Sequence, residues 1–123
     1  MNDRGLESDV LDDIDLFLDG VSELNNLECN AAADLISYEL ERESIPHQRV
    51  CGSTRRVSTG EVIFPHCWIE LPNGEIIDTT LRLYFPFAED VPNGRFRPGA
   101  NYQYKGTVNP TPRLNERLIS QLS

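Results

Sequence analysis

Basic residues are scarce in this sequence. The chain of 123 residues contains 11 lysines and arginines against 20 aspartates and glutamates, which gives a formal net charge of −9 at pH 7. Proteins that bind DNA or RNA need a basic surface to contact the phosphates. We therefore expect no nucleic acid among the partners, whereas a cationic partner or substrate is mildly favoured. Seven of the acidic residues fall within residues 1–20, where the solvated face of a helix is the simpler explanation.

Long hydrophobic runs and a secretion signal are also absent. No stretch of about 18 consecutive apolar residues occurs, so no membrane-spanning helix is predicted. The N-terminus is acidic and lacks the basic start and the apolar run of a signal peptide. We therefore expect a cytoplasmic protein without a membrane partner, unless an unconventional route of secretion delivers it.

Cysteine is rare, with Cys29, Cys51 and Cys67 as the three residues of this type. Three thiols cannot all pair within one chain, and this suits a reducing compartment. Cys51 and Cys67 lie in strand-like segments, where we expect free thiols that pack as small hydrophobic side chains. A zinc site that combines them with His47 and His66 is conceivable. However, the sequence has no CxxC or HxxxH pair, and residues 66 and 67 point to opposite faces of a strand. We expect no metal and no cofactor.

The composition is that of a single globular domain over residues 1–123, with 39% hydrophobic and 25% charged residues. Apolar residues spaced three and four apart predict a helix over 8–19, which Gly20 ends. A second helix is predicted from Cys29 to Glu43 and a third over 111–122. The proline at position 46 biases Ser44-Ile45 towards extended geometry.

The middle of the chain alternates between strand-like runs and turns, so an α+β fold with an antiparallel sheet is predicted. Pro65 has no backbone N–H to donate to a neighbouring strand, so a bulge or a sheet edge is expected beside it. The predicted strands cover residues 48–53, 61–71, 75–84 and 102–104, and residues 85–100 are predicted to be mostly loop because they are rich in proline and glycine.

Cys29 opens the second predicted helix, which begins with the small residues Cys29-Asn30-Ala31-Ala32-Ala33. A thiol is mostly protonated at neutral pH because its ordinary pKa is about 8.5. The free N–H groups and the partial positive charge of a helix N-terminus stabilise the thiolate. Cys29 is therefore a candidate nucleophile. Taken alone, it is more simply described as a buried cysteine at a helix start, without chemistry.

His66 lies on a predicted strand and is the candidate base. His66, Trp68 and Glu70 share one face of this strand, and the other face is an apolar core face. His66 therefore belongs to the face on which a cleft can form. Trp68 could wall that cleft and exclude water from it, or it could belong to the core.

The turn after this strand decides whether Asp78 can meet His66. A two-residue hairpin at Asn73-Gly74 would turn Asp78 towards the core. Pro72, however, suits the first central position of a type I turn, Asn73 suits the second, and Gly74 suits the left-handed residue that follows. In this three-residue loop Asp78 shares the face of His66. Asp78 is then the residue that orients the base, and capping of the following threonines is its alternative role.

The segment 29–80 resembles the transglutaminase-like branch of the papain-like cysteine hydrolases. This family carries a cysteine at the start of a helix, an Ile-Pro and an Arg-Val pair, and later His-x-Trp-x-Glu and Asp-x-Thr. The matching residues are Cys29, Ala32-Ala33, Leu35, Leu40, Ile45-Pro46, Arg49-Val50, Gly52, His66-x-Trp68-x-Glu70 and Asp78-Thr79-Thr80. The glycine that usually precedes Ile-Pro is Ser44 here.

The resemblance implies a papain-like core, in which the nucleophile-bearing helix packs on an antiparallel sheet. It also implies a catalytic triad of Cys29, His66 and Asp78 that acts on a peptide or protein. The expected activity is that of a cysteine peptidase, a glutamine or asparagine side-chain deamidase, or a transamidase. We expect the backbone N–H of Cys29 and the side chain of Asn25 or Asn26 to bind the oxyanion. The alternative is a non-catalytic binding or inhibitory module, which uses its acidic N-terminal helix as the contact surface.

Overall fold

The computed structural model describes residues 8–23 and 29–108, which form two α-helices and five strands. This is the predicted α+β class. Asn25, Asn26 and the helix predicted over 111–122 lie outside the described residues. Neither described helix is long and apolar enough to cross a bilayer. The elements are α1 (Ser8–Ser22), α2 (Cys29–Arg42), β1 (Gln48–Arg56), β2 (Val62–Glu70), β3 (Ile76–Asp78), a 3-10 helix (Leu81–Leu83), β4 (Gly94–Phe96) and β5 (Tyr102–Val108).

The five strands form one antiparallel sheet in the order β4-β3-β2-β1-β5. The sheet curls, because Phe96 on one edge and Tyr104 on the other have ring centroids only 6.1 Å apart. Their rings cover a small core on the inner face of the curl, formed by Val50, Trp68 and Ile76. β1 and β5 approach closely at Gly52, where an added Cβ would collide with the backbone of β5.

Both helices pack against the opposite face of the sheet. The shared core contains apolar residues of α1, α2, β2 and β3 and of the segments that follow α2 and β2, namely Ile14, Leu18, Val21, Ala33, Ile36, Leu40, Ile45, Cys67, Ile69, Leu71 and Ile77. The prediction that Gly20 ends α1 is wrong, because the helix continues to Ser22 and buries Val21 in this core. The Arg95 guanidinium connects α1 to the sheet edge through hydrogen bonds with Asp15 and Glu75.

The end of α2 differs from the extended geometry predicted for Ser44-Ile45. Ser44 has a φ of 58°, in the left-handed region. The Ser44 N–H donates to the carbonyl of Glu41, and the Ile45 N–H donates to the carbonyl of Leu40. This is a Schellman motif, which satisfies two carbonyls at the helix end. The proline at position 46 restricts only the residue immediately before it, so Ser44 remains free to close the helix.

The strands follow the prediction in the middle of the sheet and depart from it at the ends. The predicted bulge beside Pro65 is confirmed, because the register of β1 and β2 shifts between Gly52 and Thr54, opposite this proline. The strand predicted over 75–84 stops at Asp78, whose side chain accepts hydrogen bonds from the backbone that follows. β4 lies within the segment that was predicted to be loop.

The prediction that Cys51 and Cys67 are free thiols is wrong. They lie directly opposite each other on β1 and β2, with Cα atoms 4.2 Å apart, and form a disulfide. An odd number of cysteines does not prevent two of them from pairing when the strand register brings them together. Disulfides are typical of oxidising compartments, so this finding does not favour the cytoplasmic prediction. Among the described residues, Cys29 is the free cysteine.

Candidate active site

The turn between β2 and β3 sets the face on which Asp78 lies. Gly74 has a φ of 92°, and its N–H donates to the Leu71 carbonyl over 3.0 Å. The Leu71 N–H donates to the Glu75 carbonyl over 2.9 Å, and Ile69 pairs with Ile77. The predicted three-residue loop and its register are therefore confirmed. Continued by one step, this register sets Asp78 opposite residue 68, on the face that His66 shares.

His66 and Asp78 meet in the interior of the protein. Nε2 of His66 lies 2.6 Å from Oδ2 of Asp78, and the two residues are 0% and 2% exposed. A hydrogen bond to a carboxylate at this distance is short and charge-assisted. Because Nε2 carries the proton of this bond, Nδ1 is the ring nitrogen left for other chemistry. Nδ1 is buried and has no hydrogen-bond partner of normal geometry among the described residues.

Asp78 both orients the histidine and caps the chain that follows it. Its Oδ1 accepts from the N–H groups of Thr80 and Leu81 and from the Thr80 hydroxyl. Its Oδ2 accepts from His66 and from the Tyr104 hydroxyl. The two roles weighed for Asp78 from the sequence are therefore compatible, because each uses a different oxygen.

Cys29 is the first residue of α2 and is half-buried. The start of α2 is held against β1 by Arg49, which forms an ion pair with Asp34 and donates to Oδ1 of Asn30 over 3.2 Å. Arg49 is 6% exposed. The buried guanidinium therefore holds Asn30, the residue next to Cys29 in the sequence, against the sheet.

The thiol and the imidazole influence each other's protonation. Burial raises the pKa of Cys29, but contacts with the His66 side chain and with the Cys67 backbone outweigh burial and lower this pKa below its ordinary value. Burial lowers the pKa of His66, but the Asp78 and Cys29 side chains raise it to about 9. These opposite shifts favour a thiolate beside an imidazolium at neutral pH.

Aromatic side chains surround the imidazole. The ring centroids of Trp68, Tyr84 and Tyr104 lie 5.9, 6.0 and 6.4 Å from that of His66. Trp68 is 1% exposed, and its Nε1 donates to Glu70 over 3.1 Å. Trp68 therefore packs in the core, which is the second of the two roles considered from the sequence. Because it is buried, it does not form the wall of an open cleft.

Two residues of this site were not identified from the sequence. Tyr104 reaches Asp78 from β5, and Tyr84 contacts His66 from the segment after the 3-10 helix. Neither contact follows from sequence spacing, because both depend on how the sheet curls. The alternation of Tyr102 and Tyr104 about Gln103 on this strand was the available signal.

The four residues considered for zinc have other partners. Cys51 and Cys67 are joined, His66 binds Asp78, and His47 bonds to the Ser37 hydroxyl and to the Ile45 carbonyl. What remains is a thiol, an imidazole with one open nitrogen and a buried carboxylate. These are the groups that nucleophilic acyl transfer requires. Comparison of the chain with family models, with curated proteins and with solved structures found no significant match.

Proposed function

We propose that this protein is a thiol-dependent acyl-transfer enzyme that cleaves an amide bond of a peptide or protein. Cys29 is the nucleophile, His66 is the general acid and base, and Asp78 orients His66. The proposal depends above all on one observation, the 2.6 Å hydrogen bond that joins Nε2 of His66 to buried Asp78 and leaves Nδ1 for the thiol. A papain-like core is part of the same proposal.

The reaction proceeds in two balanced steps. The Cys29 thiolate attacks the amide carbonyl to form a C–S bond, and the imidazolium of His66 gives its Nδ1 proton to the leaving nitrogen as the C–N bond breaks. Neutral His66 then takes a proton from water, whose oxygen attacks the thioester. The products are a carboxylic acid and the thiolate, and the imidazolium is restored. An amine in place of water gives transamidation.

Asp78 contributes through the imidazole. The carboxylate holds the ring with its Nε2–H inward and compensates the positive charge of the imidazolium. The oxyanion of the tetrahedral intermediate requires fixed donors. We assign the first donor to the backbone N–H of Cys29, and the second to Asn25 or Asn26 as a prediction.

Apolar residues near Tyr84 favour a substrate with a hydrophobic side chain. Tyr84 contacts the His66 ring and also lines a cavity of about 250 Å³. Phe85, Pro86 and Phe87 line the same cavity together with the charged residues Arg56 and Glu61, and Phe87 is 98% exposed. The apolar side of this cavity, which Tyr84 connects to the His66 ring, suits an aliphatic or aromatic residue beside the scissile amide.

Selective alkylation tests the proposal. At about pH 6.5 an ordinary thiol is roughly 1% ionised, whereas a thiolate beside an imidazolium is largely ionised. Low-pKa thiolates are also weaker nucleophiles, so we expect iodoacetamide to react with Cys29 about 10-fold to 50-fold faster than with an ordinary thiol. The enhancement disappears in His66→Ala and persists in His47→Ala, the matched control. If Cys29 reacts at the ordinary rate in all three proteins, the enzyme proposal fails and the acidic binding module is favoured.

A further inference from the structure

Tyr104 connects one edge of the sheet to the candidate triad. It lies on β5, where it pairs with Thr54 of β1, and β5 has no backbone pairing with β3. Its hydroxyl nevertheless donates to Oδ2 of Asp78 on β3 over 2.9 Å. The curl of the sheet brings these two residues together across the inner face.

The oxygen that Tyr104 contacts is the one that orients His66. Oδ2 of Asp78 accepts both the Nε2–H of His66 and the Tyr104 hydroxyl. The other oxygen is held by the N–H groups of Thr80 and Leu81. The backbone N–H groups restrain the Oδ1 side of the carboxylate, and the Tyr104 hydroxyl restrains the Oδ2 side.

The surroundings of Tyr104 keep its hydroxyl in place as a donor. Its ring packs edge-on against Trp68, with centroids 5.0 Å apart, and lies 6.1 Å from that of Phe96. Burial and the negative charge of Asp78 raise the pKa of Tyr104. The hydroxyl therefore keeps its proton throughout the pH range in which a thiolate and an imidazolium coexist.

We propose that Tyr104 is a positioning residue of the catalytic site, which fixes Oδ2 of Asp78 in line with Nε2 of His66. This inference rests on the proposed function. Without the hydroxyl, Oδ2 loses one of its two hydrogen-bond donors. A buried carboxylate with an unfilled acceptor position is high in free energy, so Oδ2 turns away from its in-line position. The imidazolium then loses support, and so does the thiolate beside it.

Charge alone predicts the opposite change. A hydroxyl that donates to Oδ2 draws negative charge away from His66, so its removal would strengthen the hold of Asp78 on the imidazolium proton. Positioning and charge tuning therefore shift the acid limb of Cys29 reactivity in opposite directions. A purely structural Tyr104 shifts it in neither direction.

The experiment compares Tyr104→Phe with Tyr102→Phe. Tyr102 is on the same strand and also donates its hydroxyl to a carboxylate, that of Asp90, over 2.9 Å. For Tyr104→Phe we expect the acid limb of Cys29 alkylation to move up by as much as about one pH unit, which lowers the rate at a pH on that limb up to tenfold. The kcat of amide hydrolysis falls by about tenfold with KM unchanged. Tyr102→Phe leaves the acid limb, kcat and KM unchanged.

A double-mutant cycle with Asp78→Asn, read by the ultraviolet titration of the Cys29 thiolate, completes the test. Tyr104→Phe has no further effect on the thiolate pKa in the Asp78→Asn background if it acts through Asp78. An unchanged limb, a limb that moves down, or the same shift in both backgrounds overturns the positioning role. Slow alkylation of Cys29 in the unmutated protein is a separate result, which overturns the proposed function itself.

Discussion

Asp78→Asn separates the charge of this residue from its shape. An asparagine keeps an Oδ1 that can accept from the N–H groups of Thr80 and Leu81, so the cap of the 3-10 helix survives. Its Nδ2 replaces the oxygen that accepts from His66 and Tyr104. The tyrosine hydroxyl can rotate to accept from this amide. The imidazole can do so only by placing its lone pair on Nε2, which the imidazolium does not have.

The size of the effect follows from the lost hydrogen bond. A hydrogen bond to a charged group contributes about 1.5–3 kcal/mol, and one pKa unit corresponds to about 1.4 kcal/mol. The pKa of His66 is therefore expected to fall by about one to two units from its value of about 9. The thiolate–imidazolium pair is then about 10-fold to 100-fold less favoured over the neutral thiol–imidazole pair, and alkylation of Cys29 slows by up to that factor. Amide hydrolysis falls further, on the order of 10³-fold to 10⁴-fold, because His66 holds the wrong tautomer.

The assay is the pH profile of iodoacetamide alkylation at Cys29, with the product located by peptide mass spectrometry. Asp90→Asn is the matched control. Asp90 accepts a hydrogen bond from Tyr102, which lies on the same strand as Tyr104, but it does not contact His66. An Asp78→Asn profile that overlays the control would refute the reasoning, because the carboxylate would then have no hold on the imidazole. Far-ultraviolet circular dichroism of both variants verifies that the fold is retained.

Four further predictions follow from the same geometry. Gly74→Ala lowers the free energy of unfolding in urea by about 1–2 kcal/mol because Gly74 has a positive φ, and it also slows Cys29 alkylation. Gly60→Ala (φ 78°) lowers the free energy of unfolding but leaves Cys29 alkylation unchanged. Ser44→Gly stabilises the protein by about 0.5–1 kcal/mol, because glycine adopts the left-handed conformation without strain; an unchanged urea midpoint would contradict this. Hydrolysis falls as the pH rises through about 9, where His66 loses the proton that it gives to the leaving group, whereas alkylation stays fast; parallel losses would argue against His66 as the acid. Phe87→Ala raises KM for peptides with an apolar residue at the scissile bond and leaves the unfolding midpoint unchanged; an unchanged KM would exclude Phe87 from the substrate site.

The elements that sequence could predict are those fixed by neighbouring residues. The three-residue loop follows from the turn preferences of Pro72, Asn73 and Gly74 alone, and the register of β2 and β3 follows from the loop. The bulge at Pro65 has a similarly local cause, the missing N–H. The face on which Asp78 lies depends only on this hairpin, so its contact with His66 could be predicted from the sequence.

The features that escaped prediction depend on contacts between distant segments. The disulfide forms because the register of β1 and β2 places Cys51 opposite Cys67, and the number of cysteines in the sequence does not reveal this register. β4 is three residues long and forms because its backbone can pair with the edge of β3. Tyr104 reaches Asp78 only because the sheet curls, and the curl results from packing on its inner face. Activity itself stays a prediction, because these contacts describe a ground state and not a reaction.

The thiolate–imidazolium pair is tested most directly by the pH titration of the His66 imidazole with nitrogen-15 NMR. We expect both ring nitrogens to carry protons at neutral pH and the second proton to be lost only near pH 9. In Cys29→Ala the same transition moves to lower pH, because the thiolate that helps to hold the proton is gone. A His66 ring that is neutral at pH 7, or a transition that is unchanged when Cys29 is removed, would contradict the thiolate–imidazolium pair.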